Sequence, residues 1–196
     1  MKHLLTQLAT AAVLATATLA LSHCASGPGT NVNAASVNPR QLSANSRAAL
    51  NDLCRRNPAA RKLRGSAKGI MVFPEITKGG FIVGGMGGNG ALIRNDGTIR
   101  DFYQTAGLSY GLQAGVQKYG YALFLMDNSA FNNLNRADGW EVGSSPSLVI
   151  VDEGMASSLT TTTLNKSTYA FFFNQRGLMG GLGLQGSKIT RIHPPR

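Results

Sequence analysis

From Gly69 onward, short runs of β-branched, aromatic and aliphatic residues alternate with glycine, the grammar of strands joined by tight connections. The runs are Gly69–Phe73, Phe81–Val83, Ala91–Ile93, Tyr121–Met126, Ser147–Val151, Thr168–Phe173 and Leu178–Leu184. Asn95-Asp96-Gly97, set between Leu92-Ile93 and Thr98-Ile99, predicts a hairpin, because these residue types tolerate the positive φ of a tight turn. Ahead of Gly69 the period changes. Within Arg40 to Asn57, the residues Ala49, Leu50, Leu53 and Cys54 fall on one side at helical spacing, which predicts an amphipathic helix. Asn57-Pro58 reads as a boundary, and Pro58 at a first turn with Gly65 just past an end brackets a second, short helix. A third is predicted inside Asp127 to Gly139, where Phe131 and Leu134 stand three apart. The expected fold class is α+β: a mainly antiparallel, Gly-rich β-sheet or barrel-like domain with an N-terminal helical cap.

The first residues follow a different logic. Lys2 precedes an uncharged, mostly apolar run, Leu4 to Leu21, which ends at Ser22-His23-Cys24. A basic start, an apolar stretch and a short exit describe an export signal over residues 1–23. A Cys directly after such a run resembles a bacterial lipoprotein box, with Cys24 acylated as the first mature residue. Residues 24–39, rich in Gly, Pro, Asn, Ser and Ala, then read as a flexible tether, and 40–196 as a single domain. The expected location is the cell envelope, lipid-anchored, on an outer membrane and facing periplasm or surface. The anchor matters because one acyl chain holds a protein to a bilayer only marginally and needs a second attachment.

Composition narrows the partners. The 196-residue chain carries 19 Lys and Arg against nine Asp and Glu, a formal charge of +10, and removal of 1–23 takes away only Lys2. Such an excess draws a protein to anionic surfaces, and export leaves membrane lipid ahead of nucleic acid. Of the 24 glycines, 22 lie at or after Gly65, so the β region uses them as bends, bulges or places of close approach. Besides Cys24 there is only Cys54, which excludes an intrachain disulfide framework once Cys24 is acylated. The flanking Leu50 and Leu53 make Cys54 a small buried apolar residue in expectation.

Catalytic chemistry is poorly supplied. After the leader, His193 is the sole histidine, the acids are scattered, and adjacent Asp152 and Glu153 would point to opposite faces of a strand. No catalytic, metal or cofactor residues are expected. Gly85-Met86-Gly87-Gly88-Asn89-Gly90 has the spacing of a dinucleotide fingerprint, yet Ala91-Leu92-Ile93 leads straight into a turn, with no helix to face a pyrophosphate. The chemistry-bearing cluster is basic: Arg55, Arg56, Arg61, Lys62, Arg64 and Lys68 put six positive charges within 14 residues, with no acid among them. Beside an amphipathic helix, that composition suits an anionic lipid surface.

Several segments together resemble the SYLF domain, also called the yeast-type actin-binding domain. They are Ala67-Lys68-Gly69-Ile70-Met71-Val72-Phe73-Pro74 and Lys78-Gly79-Gly80-Phe81-Ile82-Val83-Gly84-Gly85. Further along come Ser109-Tyr110-Gly111-Leu112-Gln113-Ala114-Gly115-Val116-Gln117, then Tyr169-Ala170-Phe171-Phe172-Phe173 with Arg176-Gly177-Leu178-Met179-Gly180-Gly181. The resemblance covers about Gln41 to Ile192. It implies binding of phosphoinositides or other acidic phospholipids through a basic amphipathic N-terminal part, binding of actin filaments in fungal members, and no catalysis. It places headgroup binding on Arg55, Arg56, Arg61, Lys62, Arg64 and Lys68. Asp101-Phe102-Tyr103-Gln104-Thr105 stands where the family usually has a Trp-Ser-x-Pro-like segment, so actin binding is the less expected activity. The alternative to a lipid-binding module is a structural protein that binds another envelope or host protein through a glycine-bared β face.

Overall fold

The computed structural model describes residues 36–81, 83–110, 115–134, 140–142, 148–151, 166–177 and 187–195. The expected leader, Cys24, most of the tether and the Leu178–Leu184 strand lie outside these residues. The elements are α1 (Pro39–Arg56), α2 (Pro58–Ser66), β1 (Gly69–Phe81), β2 (Val83–Arg94), β3 (Ile99–Tyr110), β4 (Gly115–Leu125), α3 (Asn128–Leu134), β5 (Trp140–Val142), β6 (Leu148–Val151), β7 (Thr168–Gly177) and β8 (Ser187–Ile192).

Both long helices start the same way. Asn38 and Asn57 are extended, each followed by Pro at the first helical position, and their side-chain oxygens accept from the amides of Gln41 (3.1 Å) and Ala60 (3.0 Å). The caps satisfy amides that the first turn leaves unpaired, while Pro lacks the N–H that would otherwise be orphaned. Asn57 also donates its amide to the Leu53 carbonyl at 2.8 Å, so a single residue ends α1 and begins α2. Gly65, expected just beyond α2, lies inside its last turn; the cap is extended Ala67, whose amide reaches the Leu63 carbonyl.

The strands form one eight-stranded sheet in the order β5-β8-β3-β2-β1-β4-β7-β6, antiparallel throughout except for the β6–β7 pair. The order is open, and among the described residues no pairing joins β5 to β6, so the sheet rather than the barrel-like alternative is the fold. Phe81 closes β1 and Val83 opens β2, paired across the tip, so that predicted run is a hairpin end and not a strand. Pro74 sits in β1 where the register to both neighbours shifts, between Phe73 and Ile76 on the β4 side and between Val72 and Thr77 on the β2 side. A bulge is where a strand can hold a residue without an N–H.

Each face of the sheet has its own core. On one, Ile70, Val72, Ile93, Ala122, Phe124 and Phe171 pack with Leu50, Leu53, Ala60 and Leu63 of α1 and α2. On the other, Met71, Phe73, Leu92, Tyr103, Tyr121 and Leu123 pack with Ala130 and Leu134 of α3. β4 is buried on both sides from Tyr119 to Leu125, which is why its sequence, Tyr-Gly-Tyr-Ala-Leu-Phe-Leu, lacks polar alternation. The helical cap therefore occupies one face, and its outer surface carries five of the six predicted cations.

Candidate functional site

The site follows from how α1 and α2 are ordered. Burying Leu42, Leu50, Leu53 and Cys54 of α1, and Ala59, Ala60 and Leu63 of α2, leaves the intervening polar positions outward. Arg55 and Arg56 end α1, and Arg61, Lys62 and Arg64 lie on α2. Cations near a helix C-terminus also offset the partial negative charge of its unpaired carbonyls.

The six predicted residues do not behave alike. Arg55 donates from Nη2 to Asp52 Oδ1 at 2.6 Å, and Arg56 pairs with Asp52 Oδ2, yet their side chains stay 77% and 68% exposed. Hydrogen bonding from Arg55, with the added charge of Arg56, holds the Asp52 carboxyl below its ordinary value. One carboxylate shared between two solvated guanidinium groups leaves a net positive charge at the end of α1. Arg61 and Lys62 are exposed, and Arg64 is half-buried, donating from Nη1 to Asn51 Oδ1 at 2.8 Å. Lys68 is also exposed but turns away, donating from Nζ to Asn128 Oδ1 at 3.0 Å at the start of α3. Five of the six thus share the helical layer, and Lys68 stands apart.

Sequence spacing missed Arg47. It lies three and four residues before Leu50 and Asn51, hence on one side of α1 with them, and its Nε donates to the Gly97 carbonyl at 3.2 Å. Arg47, Leu50, Asn51, Arg64, Ile93 and Gly97 line a cavity of about 70 Å³ between the two helices and the β2–β3 turn. The helical i, i+3, i+4 relation to Leu50 was the available signal. The turn partner was not, because it comes from 50 residues further along.

Cys54 is buried, free and apolar in its surroundings; burial raises its pKa, while Arg64 and Arg61 nearby pull the other way. That is the inert thiol the flanking leucines predict. Gly85 to Gly90 run inside strand β2, so the fingerprint spacing has no helix behind it. Among the described residues, no group of three or more His, Cys, Asp or Glu side chains is placed to hold a metal, and no helix is long and apolar enough to cross a membrane.

Residues 106–193 match the model of a family described as Ysc84, Las17-binding protein actin regulator. None of the curated proteins compared with the chain matches it. The matched stretch runs from the second half of β3 to just past β8, and leaves α1, α2 and their cations outside. It contains the Ser109–Gln117 and Tyr169–Gly181 segments on which the resemblance to SYLF domains rests. Over this stretch the chain is similar to the Ysc84, or SYLF, family.

Proposed function

We propose that this protein is a non-catalytic, lipid-anchored protein of the cell envelope that binds anionic lipid headgroups through the outer surface of α1 and α2. One observation carries the reading: residues 40–68 hold eight Lys and Arg side chains against a single carboxylate, Asp52, and Arg55, Arg56, Arg61 and Lys62 are all solvent-exposed. Cations near a bilayer surface each contribute on the order of 1 kcal/mol with acidic lipid. The similarity of residues 106–193 to a family described as a Las17-binding actin regulator supports a binding role. Cys24 after the apolar run supplies the second attachment, and chain plus basic patch exceeds either alone.

A protein partner is the second reading. The family description names Las17 binding and actin regulation, and Leu108 and Val116 are exposed large apolar side chains on the sheet face that also carries the helices. Charge reversal separates the two. Arg61→Glu with Lys62→Glu is expected to weaken binding to acidic vesicles roughly tenfold or more, as the lost and inverted charges require. Unchanged vesicle binding would leave the protein-partner reading in possession. For the anchor, Cys24→Ser is expected to abolish incorporation of labelled fatty acid; persistent labelling would remove that part of the proposal.

A further inference from the structure

We propose that Leu108 and Val116 are membrane-insertion residues: the far end of the helix-bearing sheet face dips into an anionic bilayer while α1 and α2 hold its headgroups. This rests on the headgroup reading above and adds an apolar contact to it.

The register sets four residues in one line across the sheet. Leu108 of β3 pairs with Gly85 of β2, Gly85 with Gly79 of β1, and Gly79 with Val116 of β4. Cross-strand partners share a face, and alternation along β2 puts Gly85 on the face of Ile93, which packs with α1 and α2. Among the described residues the exposed large apolar side chains are Leu108 at 52%, Val116 at 59% and Ile150 at 44%. Ile150 pairs with Ala170 of the other core, so it faces the opposite way. Leu108 and Val116 stand on strands about 14 Å apart, at the two ends of a pair of glycines. A Cβ on Gly85 would meet nothing nearer than 4.0 Å, so the floor between them is open.

Charge selects the partner. Residues 79–93 and 102–117, which include all four paired positions, contain no charged residue. One row nearer the helices, about 7 Å away, Ala106, Gly87 and Thr77 run between Lys188 at one end and Lys118 and Arg176 at the other. Lys118 Nζ donates to Glu75 Oε1 at 2.8 Å, and Glu141 stands opposite Lys188 on β5, which leaves a positive excess. An apolar strip one row beyond cations matches a bilayer, where apolar faces sit about 5–10 Å into the boundary between headgroups and acyl chains. A soluble protein partner gives no reason for that layering.

The two contacts fit one surface. Gly85 lies about 25 Å along β2 from Ile93, and a helix layer adds about 10 Å, so a flat membrane tilted about 20° from the sheet touches both. Two side chains alone hold a bilayer weakly, so insertion follows electrostatic capture and does not replace it.

The test uses the full chain. Leu108→Thr with Val116→Thr keeps strand-forming residues at exposed positions while removing apolar surface. Binding to phosphatidylcholine vesicles containing phosphatidic acid is expected to weaken about tenfold, and by a similar factor at high salt, since salt screens charge and not apolar contact. Ile150→Thr, on the other face, is expected to change binding by no more than about twofold. Threonine variants that bind like wild type overturn insertion and leave the two side chains to a protein partner.

Depth is read separately. With Cys24→Ser, buried Cys54 is the sole native thiol, and a nitroxide is carried on Leu108→Cys or on Thr77→Cys. On acidic vesicles the Leu108 label is expected to meet more oxygen and less of a water-soluble nickel complex than the Thr77 label does. Equal exposure of the two labels overturns insertion. The two readings fail differently. Wild type that binds neutral and acidic vesicles equally overturns both, whereas preference for acidic vesicles with unaffected threonine variants overturns insertion alone.

Discussion

A Cβ placed on Gly90 would stand 2.5 Å from the Val72 carbonyl oxygen and 2.6 Å from the Phe73 ring, while one on Gly85 would meet nothing nearer than 4.0 Å. Glycine is thus imposed by packing at the first position and merely permitted at the second. Gly90→Ala is expected to cost about 1–3 kcal/mol, the usual range for overpacking, and Gly85→Ala to be neutral or slightly stabilising. Urea midpoints measure both, and equal shifts would contradict the account. The glycine excess of the β region was legible as a demand for close approach or bends. Which glycines were obligatory was not, since that depends on the Pro74 bulge pressing β1 against β2. The basic residues show the same division. Their clustering was plain in the chain, but Asp52 takes up Arg55 and Arg56 through one helical turn, Lys68 turns to Asn128, and Arg47 enters the site only because a distant turn folds back on α1.

Among the elements, α3 has the clearest electrostatic dependence. Asp127 precedes it and accepts from the Ala130 amide at 2.9 Å and the Ser129 hydroxyl at 2.6 Å, while its second oxygen accepts from Ser167 at 2.6 Å. Those hydrogen bonds, Ser129 and Ser167 foremost, lower its pKa from 3.8 to about 2. A folded-state pKa below the unfolded one adds stability that is complete above pH ~4 and is lost as pH falls through about 2. Asp127→Ala is expected to cost about 1 kcal/mol near neutral pH, as lost helix caps do, and progressively less below pH ~4. A penalty constant from neutral pH to about 2 would count against the cap. The helix itself was readable from Phe131 and Leu134, as were α1, α2 and the Asn95–Gly97 turn. The strand lengths were not: β1 continues from Phe73 through Pro74 to Phe81, and β3, β5 and β8 escaped the apolar-run criterion. In β3 and β8 the alternation includes Thr, Gln, Gly and Lys, which the sheet buries or half-buries beside neighbouring strands.

At the scale of the molecule, the sheet separates two tasks. The face packed with α3 holds an aromatic core, with Phe73 and Tyr121 ring centroids 4.7 Å apart, and contributes stability. The other face carries α1 and α2, whose inner sides complete the second core and whose outer sides gather charge. The family match covers the later strands, while the proposed binding surface is built by the helices that precede them, so common scaffold and proposed function occupy different parts of the sequence. The proposed adhesion through this surface would be electrostatic, and salt screens such contacts over about 10 Å at 0.1 M. The most direct measurement is flotation of the protein with neutral vesicles and with vesicles of increasing acidic-lipid content, each at low and high salt. The account predicts recovery that rises with acidic lipid and falls with added salt. Recovery that is the same on neutral lipid and indifferent to salt would contradict it.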